Sequence, residues 1–118
     1  MAVRFNCSAE LIRILIEAGA DVNAVNSAQQ SPLHEASKEN PAVVPVLLEA
    51  GAKANILDNI NRSPLFHAAY FKQKAAVVAL MGDTADPHLG NSPLTHPDVS
   101  KEMKDLIKSL SKWFHTWR

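Results

Sequence analysis

Ser31-Pro32-Leu33-His34 opens the stretch that decides the fold, and Ser63-Pro64-Leu65-Phe66 repeats it 32 residues later. A third, shorter copy, Ser92-Pro93-Leu94, follows after another 29. A second signal runs in phase with the first. Leu15-Ile16-Glu17-Ala18-Gly19-Ala20 recurs as Leu48-Glu49-Ala50-Gly51-Ala52, with Gly19 and Gly51 again 32 apart and Gly82 a further 31 on. A fixed period of about thirty residues marks a stack of supersecondary units, none of which can bury its apolar face alone.

The local chemistry assigns the parts of each unit. A serine followed by proline is a helix start, because the hydroxyl caps a free N–H and proline at the first position gives up a hydrogen bond that was absent anyway. First helices are therefore expected over residues 32–39 and 64–72. Second helices are expected over 9–18, 42–50 and 74–81, on the helical spacing of Leu11, Ile12 and Leu15 and of Val43, Val44, Leu47 and Leu48. Gly19, Gly51 and Gly82 follow directly, where a left-handed residue ends a helix. Pro45 is tolerated only if it falls in a first turn; deeper in a helix it would cost about 3 kcal/mol.

These units resemble ankyrin repeats. The residues that carry the resemblance are Ser31-Pro32-Leu33-His34, Val43-Val44, Leu47-Leu48 and Gly19-Ala20-Asp21-Val22-Asn23-Ala24, and it covers roughly residues 8–110. It implies an all-α solenoid of helix-turn-helix units joined by hairpin loops. The expected repeats are a partial one at 1–30, full ones at 31–62 and 63–91, and a degenerate C-terminal cap at 92–112, with 113–118 as a tail. Departures are informative. Phe66 stands where the motif has histidine, and Gln29 and Asn61 replace a turn glycine. Asn tolerates left-handed backbone and Gln does so poorly, so the first hairpin is expected to be irregular. Thr95-His96-Pro97 interrupts the last first helix, while Met103, Leu106, Ile107 and Leu110 make 99–110 an amphipathic cap helix. With half a repeat at its start, the chain is expected to leave Leu11, Ile14 and Leu15 partly uncovered: either Met1–Ser8 folds back as an improvised cap, or the chain belongs to a longer array, the reading favoured here, and an uncapped end would self-associate.

Composition narrows the function. The 118 residues are 47% hydrophobic and 20% charged, ordinary for one globular unit. Twelve basic and twelve acidic side chains give zero net charge, which speaks against nucleic-acid binding. The sign is uneven: residues 1–59 carry four basic and seven acidic groups, and 60–118 eight and five. A lone Cys7 excludes an internal disulfide, and no signal-like or membrane-spanning apolar run is present, so an intracellular, cytoplasmic location is expected. His34, His67, His88, His96 and His115 lack metal-ligand spacing, and no phosphate-binding glycine loop occurs. Neither catalysis nor a metal or other cofactor is expected. His34 is expected to make structural hydrogen bonds between repeats.

Binding is the remaining class. The resemblance implies a concave surface of hairpin tips and first helices that meets another protein or a peptide. Its positions map to Val25, Ser27, Ala28 and Gln30, then Lys38 and Glu39, then Leu57, Asn59, Ile60 and Arg62, and finally Tyr70 and Phe71. Tyr70 and Arg62 are candidate anchors, since tyrosine and arginine dominate interface energetics. Phe71 is expected chiefly to pack beneath its second helix. The resemblance also implies that Asn23, and in part Asn55, fit asparagines that an intracellular oxygenase hydroxylates. The rival reading is a regulatory segment of a larger enzyme, channel or ubiquitin-ligase subunit. The tail does not match a suppressor-of-cytokine-signalling box, whose expected cysteine is absent. Trp113 and Trp117 extend the stripe of Met103, Leu106 and Leu110, which suits capping better than docking on a membrane surface.

Overall fold

The computed structural model describes residues 17–19, 21–83 and 85–115, with side chains described as far as Lys112. Leu11, Ile14, Leu15, Cys7 and the tail tryptophans, on which self-association, thiol and capping expectations rested, lie outside these described side chains. Five α-helices lie wholly within the described residues, in order: α1 (Pro32–Glu39), α2 (Val44–Glu49), α3 (Pro64–Tyr70), α4 (Lys74–Gly82) and α5 (Lys101–His115). No β-strand forms among the described residues. Helices α1 and α3 pack side by side in one layer, and α2, α4 and α5 stack in the other. Two pairs, α1 with α2 and α3 with α4, fall within 31–62 and 63–91.

Each start is built as its sequence dictates. The Ser31 hydroxyl accepts from the His34 N–H at 3.4 Å, and the Ser63 hydroxyl accepts from the Phe66 N–H at 3.2 Å. Pro45 falls in the first turn of α2 and is exposed, because a 3-10 turn over Pro41–Val43 precedes that helix. No intrahelical hydrogen bond is therefore forfeited. Layer contact is made by small and branched residues: Ala36, Ala68, Ala69, Ala76 and Val77 are fully buried, as are Leu33, Leu65 and Leu80. Alanine lets neighbouring helix axes approach closely while the leucines fill the space between layers.

Three local expectations need correction. Helix α3 ends at Tyr70, not near Lys72, because Lys72 turns left-handed at φ 59° and Gln73 N–H returns to Ala68 O at 2.8 Å. Gly82 does not end α4 in left-handed backbone as Gly19 (φ 97°) and Gly51 (φ 96°) do; it is the last helical residue. The first hairpin is regular despite Gln29, whose φ is 61° against 60° for Asn61. Asn26 N–H donates to Gln30 O, and the Asn26 side-chain oxygen accepts from Ala28 N–H and Gln30 N–H. Asp58 repeats the pattern toward Arg62 O, Ile60 N–H and Arg62 N–H. The side-chain acceptor of Asn26 over-determines the turn and offsets a left-handed glutamine, which costs about 1–2 kcal/mol.

The hairpins also join one another. Asn59 N–H donates to Ala28 O at 3.0 Å, and Asn91 N–H donates to Asn61 O at 2.7 Å. Asn23 bridges to Gly51 O and Lys53 N–H, and Asn55 accepts from Asp86 N–H. The tips therefore form one continuous edge. After the third hairpin, no first helix forms. Residues 92–100 run as turns that bury Pro93 and Val99, and α5 then lays Met103 and Ile107 against α4.

Candidate partner-binding site

The site begins from a buried polar centre. The Ser31 N–H donates to His34 Nδ1 at 3.0 Å, which places the ring proton on Nε2, and Nε2–H donates to Arg62 O at 2.9 Å. This one imidazole ties the start of α1 to the next hairpin. His67 Nε2–H donates to Asp58 Oδ2 at 3.0 Å, so the loop that Asp58 shapes is fastened to α3. Phe66 stands where His34 stands in the preceding unit, and His67 follows one position later. Phe66 is fully buried, and His67 reaches back into its own hairpin rather than on to the next. Burial is the main effect on both imidazoles and pushes both below the ordinary histidine range, opposed by the Arg62 carbonyl at His34 and by Asp58 at His67. Burial pushes the Asp58 carboxyl up, but hydrogen bonds from Arg62, His67 and Ile60 outweigh it and leave the group below its ordinary value.

Ligand atoms of His34, Asp58 and His67 lie within 4.8 Å of one another, a grouping that sequence spacing concealed. Both His34 nitrogens, His67 Nε2 and both Asp58 oxygens are already held by hydrogen bonds, while His67 Nδ1 is buried without a partner among the described residues, and the Lys38 and Arg62 charges act on His67. The hydrogen bonds of this arrangement fix two hairpins.

Above this centre sits an aromatic and cationic surface. Arg62 lies over Phe66 at 4.7 Å and Tyr70 at 5.7 Å, and Lys38 lies over Phe71 at 5.1 Å. Tyr70 and Phe71 are 5.0 Å apart, and Tyr70 also stacks on Phe66 at 5.8 Å and meets His96 at 5.9 Å. Lys38 comes from the neighbouring unit, and the Gln73 side chain ties the two units together there by donating to Lys38 O at 2.9 Å. Each ring–cation contact contributes on the order of 0.5–2 kcal/mol and fixes the charged head.

The sequence matches the family model for ankyrin repeats, in three copies, over residues 1–91. The chain belongs to the ankyrin-repeat family. No curated protein matches this sequence. The crystal structure of the ankyrin repeat domain of human ASB11 is similar at 28% identity and a TM-score of 0.76, covering 92% of this chain and 50% of that one. The chain thus spans about half the length of that ankyrin domain. Its all-α solenoid and its membership both follow, and ankyrin repeats are in general modules for protein–protein interaction.

The residues expected to meet a partner differ in exposure. Val25 and Ile60 project from hairpin tips, 44% and 50% exposed, and Phe71 is 41% exposed at the end of α3. Ser27, Asn59 and Glu39 are exposed, while Ala28, Gln30, Lys38, Leu57, Arg62 and Tyr70 are half-buried. Lys38, Arg62, Tyr70 and Phe71 are brought into one group, with Glu39 3.9 Å from Lys38. Phe71 is not covered by its second helix; its ring lies parallel to His67 and stays open. Tyr70 is the more enclosed of the two. Sequence reasoning missed Asp58, His67 and His96 as parts of this site. Asn26 and Asp58 both stand five residues before a capping serine, which was the available signal for the first. Asn23 and Asn55 serve as bridges between units.

Proposed function

We propose that this chain is a non-catalytic interaction module that binds another protein or a peptide on the concave edge formed by its hairpin tips and first helices. The observation that carries the reading is the exposure of Val25 and Ile60 on hairpins that hydrogen-bond to one another, together with the exposure of Phe71 at the end of α3. Apolar side chains exposed beside a half-buried tyrosine and arginine are the composition of interface centres. The rigid edge keeps the ordering cost of binding low. We keep the intracellular setting in the proposal, with oxygenase modification of Asn23 as a secondary feature that an added oxygen in the intact mass would reveal.

The test compares Ile60→Asp and Phe71→Asp with Val78→Asp. Val78 is 45% exposed on α4, in the other layer. Proximity labelling in cells should show one set of proteins lost in the first two variants and retained in the third. Equal labelling by all three variants would refute a concave binding edge. The half-length coverage of the ASB11 domain favours a second reading, in which the same edge is one segment of a longer array that regulates a larger enzyme, channel or ligase subunit.

A further inference from the structure

We infer that the concave edge takes an acidic peptide segment, one carboxylate engaging Arg62 and Lys38 and an adjoining apolar side chain lying on Phe71 and Ile60. The inference rests on the proposed concave edge and adds the chemistry of its partner.

Charge is the reason. Arg62 and Lys38 are each held over an aromatic ring, and rings fix a cation without neutralising it. Among the described residues no carboxylate pairs with Arg62. Its Nε is buried with no hydrogen-bond partner among them, so the guanidinium is held by ring contacts and not by a carboxylate. The Asp58 carboxylate, four residues before it, already receives Ile60 N–H, Arg62 N–H and His67. Lys38 has Glu39 at 3.9 Å, a contact between two part-exposed groups worth little. The rest of the edge is uncharged: Val25, Ser27, Ala28, Gln30, Leu57, Asn59 and Ile60. The edge therefore presents two ordered cations beside exposed Phe71 and Ile60, with Glu39 only weakly paired to Lys38 and the Asp58 carboxylate buried and committed to its own three hydrogen bonds. A partner carboxylate meets preorganised donors, and its apolar neighbour covers the open ring. A nucleic acid fits less well, because it needs a longer basic track than two cations.

A randomised peptide library displayed on phage, selected against the whole chain, tests this. Expected sequences carry Asp or Glu next to a large apolar residue. Synthetic copies with Asn and Gln in place of Asp and Glu should bind about tenfold more weakly, a gap that closes near 0.5 M salt. The double variant Arg62→Gln, Lys38→Gln should abolish the acidic preference, and Arg62→Lys should retain part of it, with circular dichroism melts confirming folding for each. Neutral consensus peptides that Phe71→Asp still abolishes would overturn the acidic inference and leave the concave edge standing. Acidic peptides indifferent to Phe71→Asp and to the double variant would overturn both, as would a selection that enriches nothing. Tighter binding of an oligouridine RNA than of any selected peptide would also overturn it.

Discussion

Asp58→Ala is expected to be the most damaging single change outside the apolar core. The carboxylate is 4% exposed and accepts three hydrogen bonds, from Ile60 N–H at 3.0 Å, Arg62 N–H at 2.9 Å and His67 Nε2–H at 3.0 Å. Truncation leaves the buried His67 donor unpaired, at about 1–3 kcal/mol, and removes two backbone bonds worth about 0.5–1.5 kcal/mol each where water can return. The sum is about 2–6 kcal/mol, a large share of the 5–15 kcal/mol typical of a domain. With a urea slope of about 1.5 kcal/mol/M, the midpoint should fall by about 1–4 M. Asn26→Ala removes the matching pair of loop bonds in the first hairpin, where the side chain is exposed and no imidazole is orphaned. It should cost about 1 kcal/mol. Asp58→Asn keeps one acceptor oxygen and should fall between the two. Urea unfolding of the three variants beside the parent chain decides the matter. A loss below about 1 kcal/mol for Asp58→Ala, or an equal loss for Asn26→Ala, would refute the claim that Asp58 welds hairpin to helix.

Other outcomes follow from the same geometry. Gly90 has φ 60°, and a Cβ there would sit 2.5 Å from Asn61 O, so Gly90→Ala should cost about 2–3 kcal/mol in urea unfolding. Gly51→Ala, with φ 96° but nothing within 4 Å, should cost about 1–2 kcal/mol; an equal loss at both would deny the close approach. His34 and His67 both titrate below their ordinary 6.5, so the folded state favours their neutral forms. The stability they add is complete above that value and is lost as pH falls through it, with Asp58 adding a second loss below 3.8. The urea midpoint should therefore drop between about pH 7.5 and about pH 5.5, and a midpoint that rises would contradict the neutral tautomer at His34. Phe66→Ala empties a fully buried site touching Arg62, Tyr70 and His96 and should cost about 3–5 kcal/mol by thermal melt.

The period and the helix starts were legible because each rests on neighbours in sequence: a serine, a proline and a leucine suffice to begin α1 and α3. The site was only half legible. The ring–cation pairs join Lys38 to Phe71 and Arg62 to Tyr70, and both cross from the unit at 31–62 to the unit at 63–91, so no pattern within one unit shows them. Gln29 looked unfit for its turn because the compensating acceptor, Asn26, acts from three residues away. Lys72 ended α3 early because backbone bonds to Ala68 and Ala69 overrode its helix preference. His67 escaped notice because Phe66 holds the motif position and the imidazole partner lies nine residues back. His96 sits in turns where a helix was missing, and only the fold brings its ring to Phe66 at 5.0 Å.

The hairpin edge is joined by main-chain atoms, Asn59 N–H to Ala28 O and Asn91 N–H to Asn61 O. These joins make no demand on the side chains at Val25, Ser27 or Ile60. Mutational drift at those tips is thereby uncoupled from folding: a lineage can rewrite what the edge greets, one residue at a time, without passing through an unfolded intermediate. The same uncoupling makes the tips the natural place to install a new specificity by design.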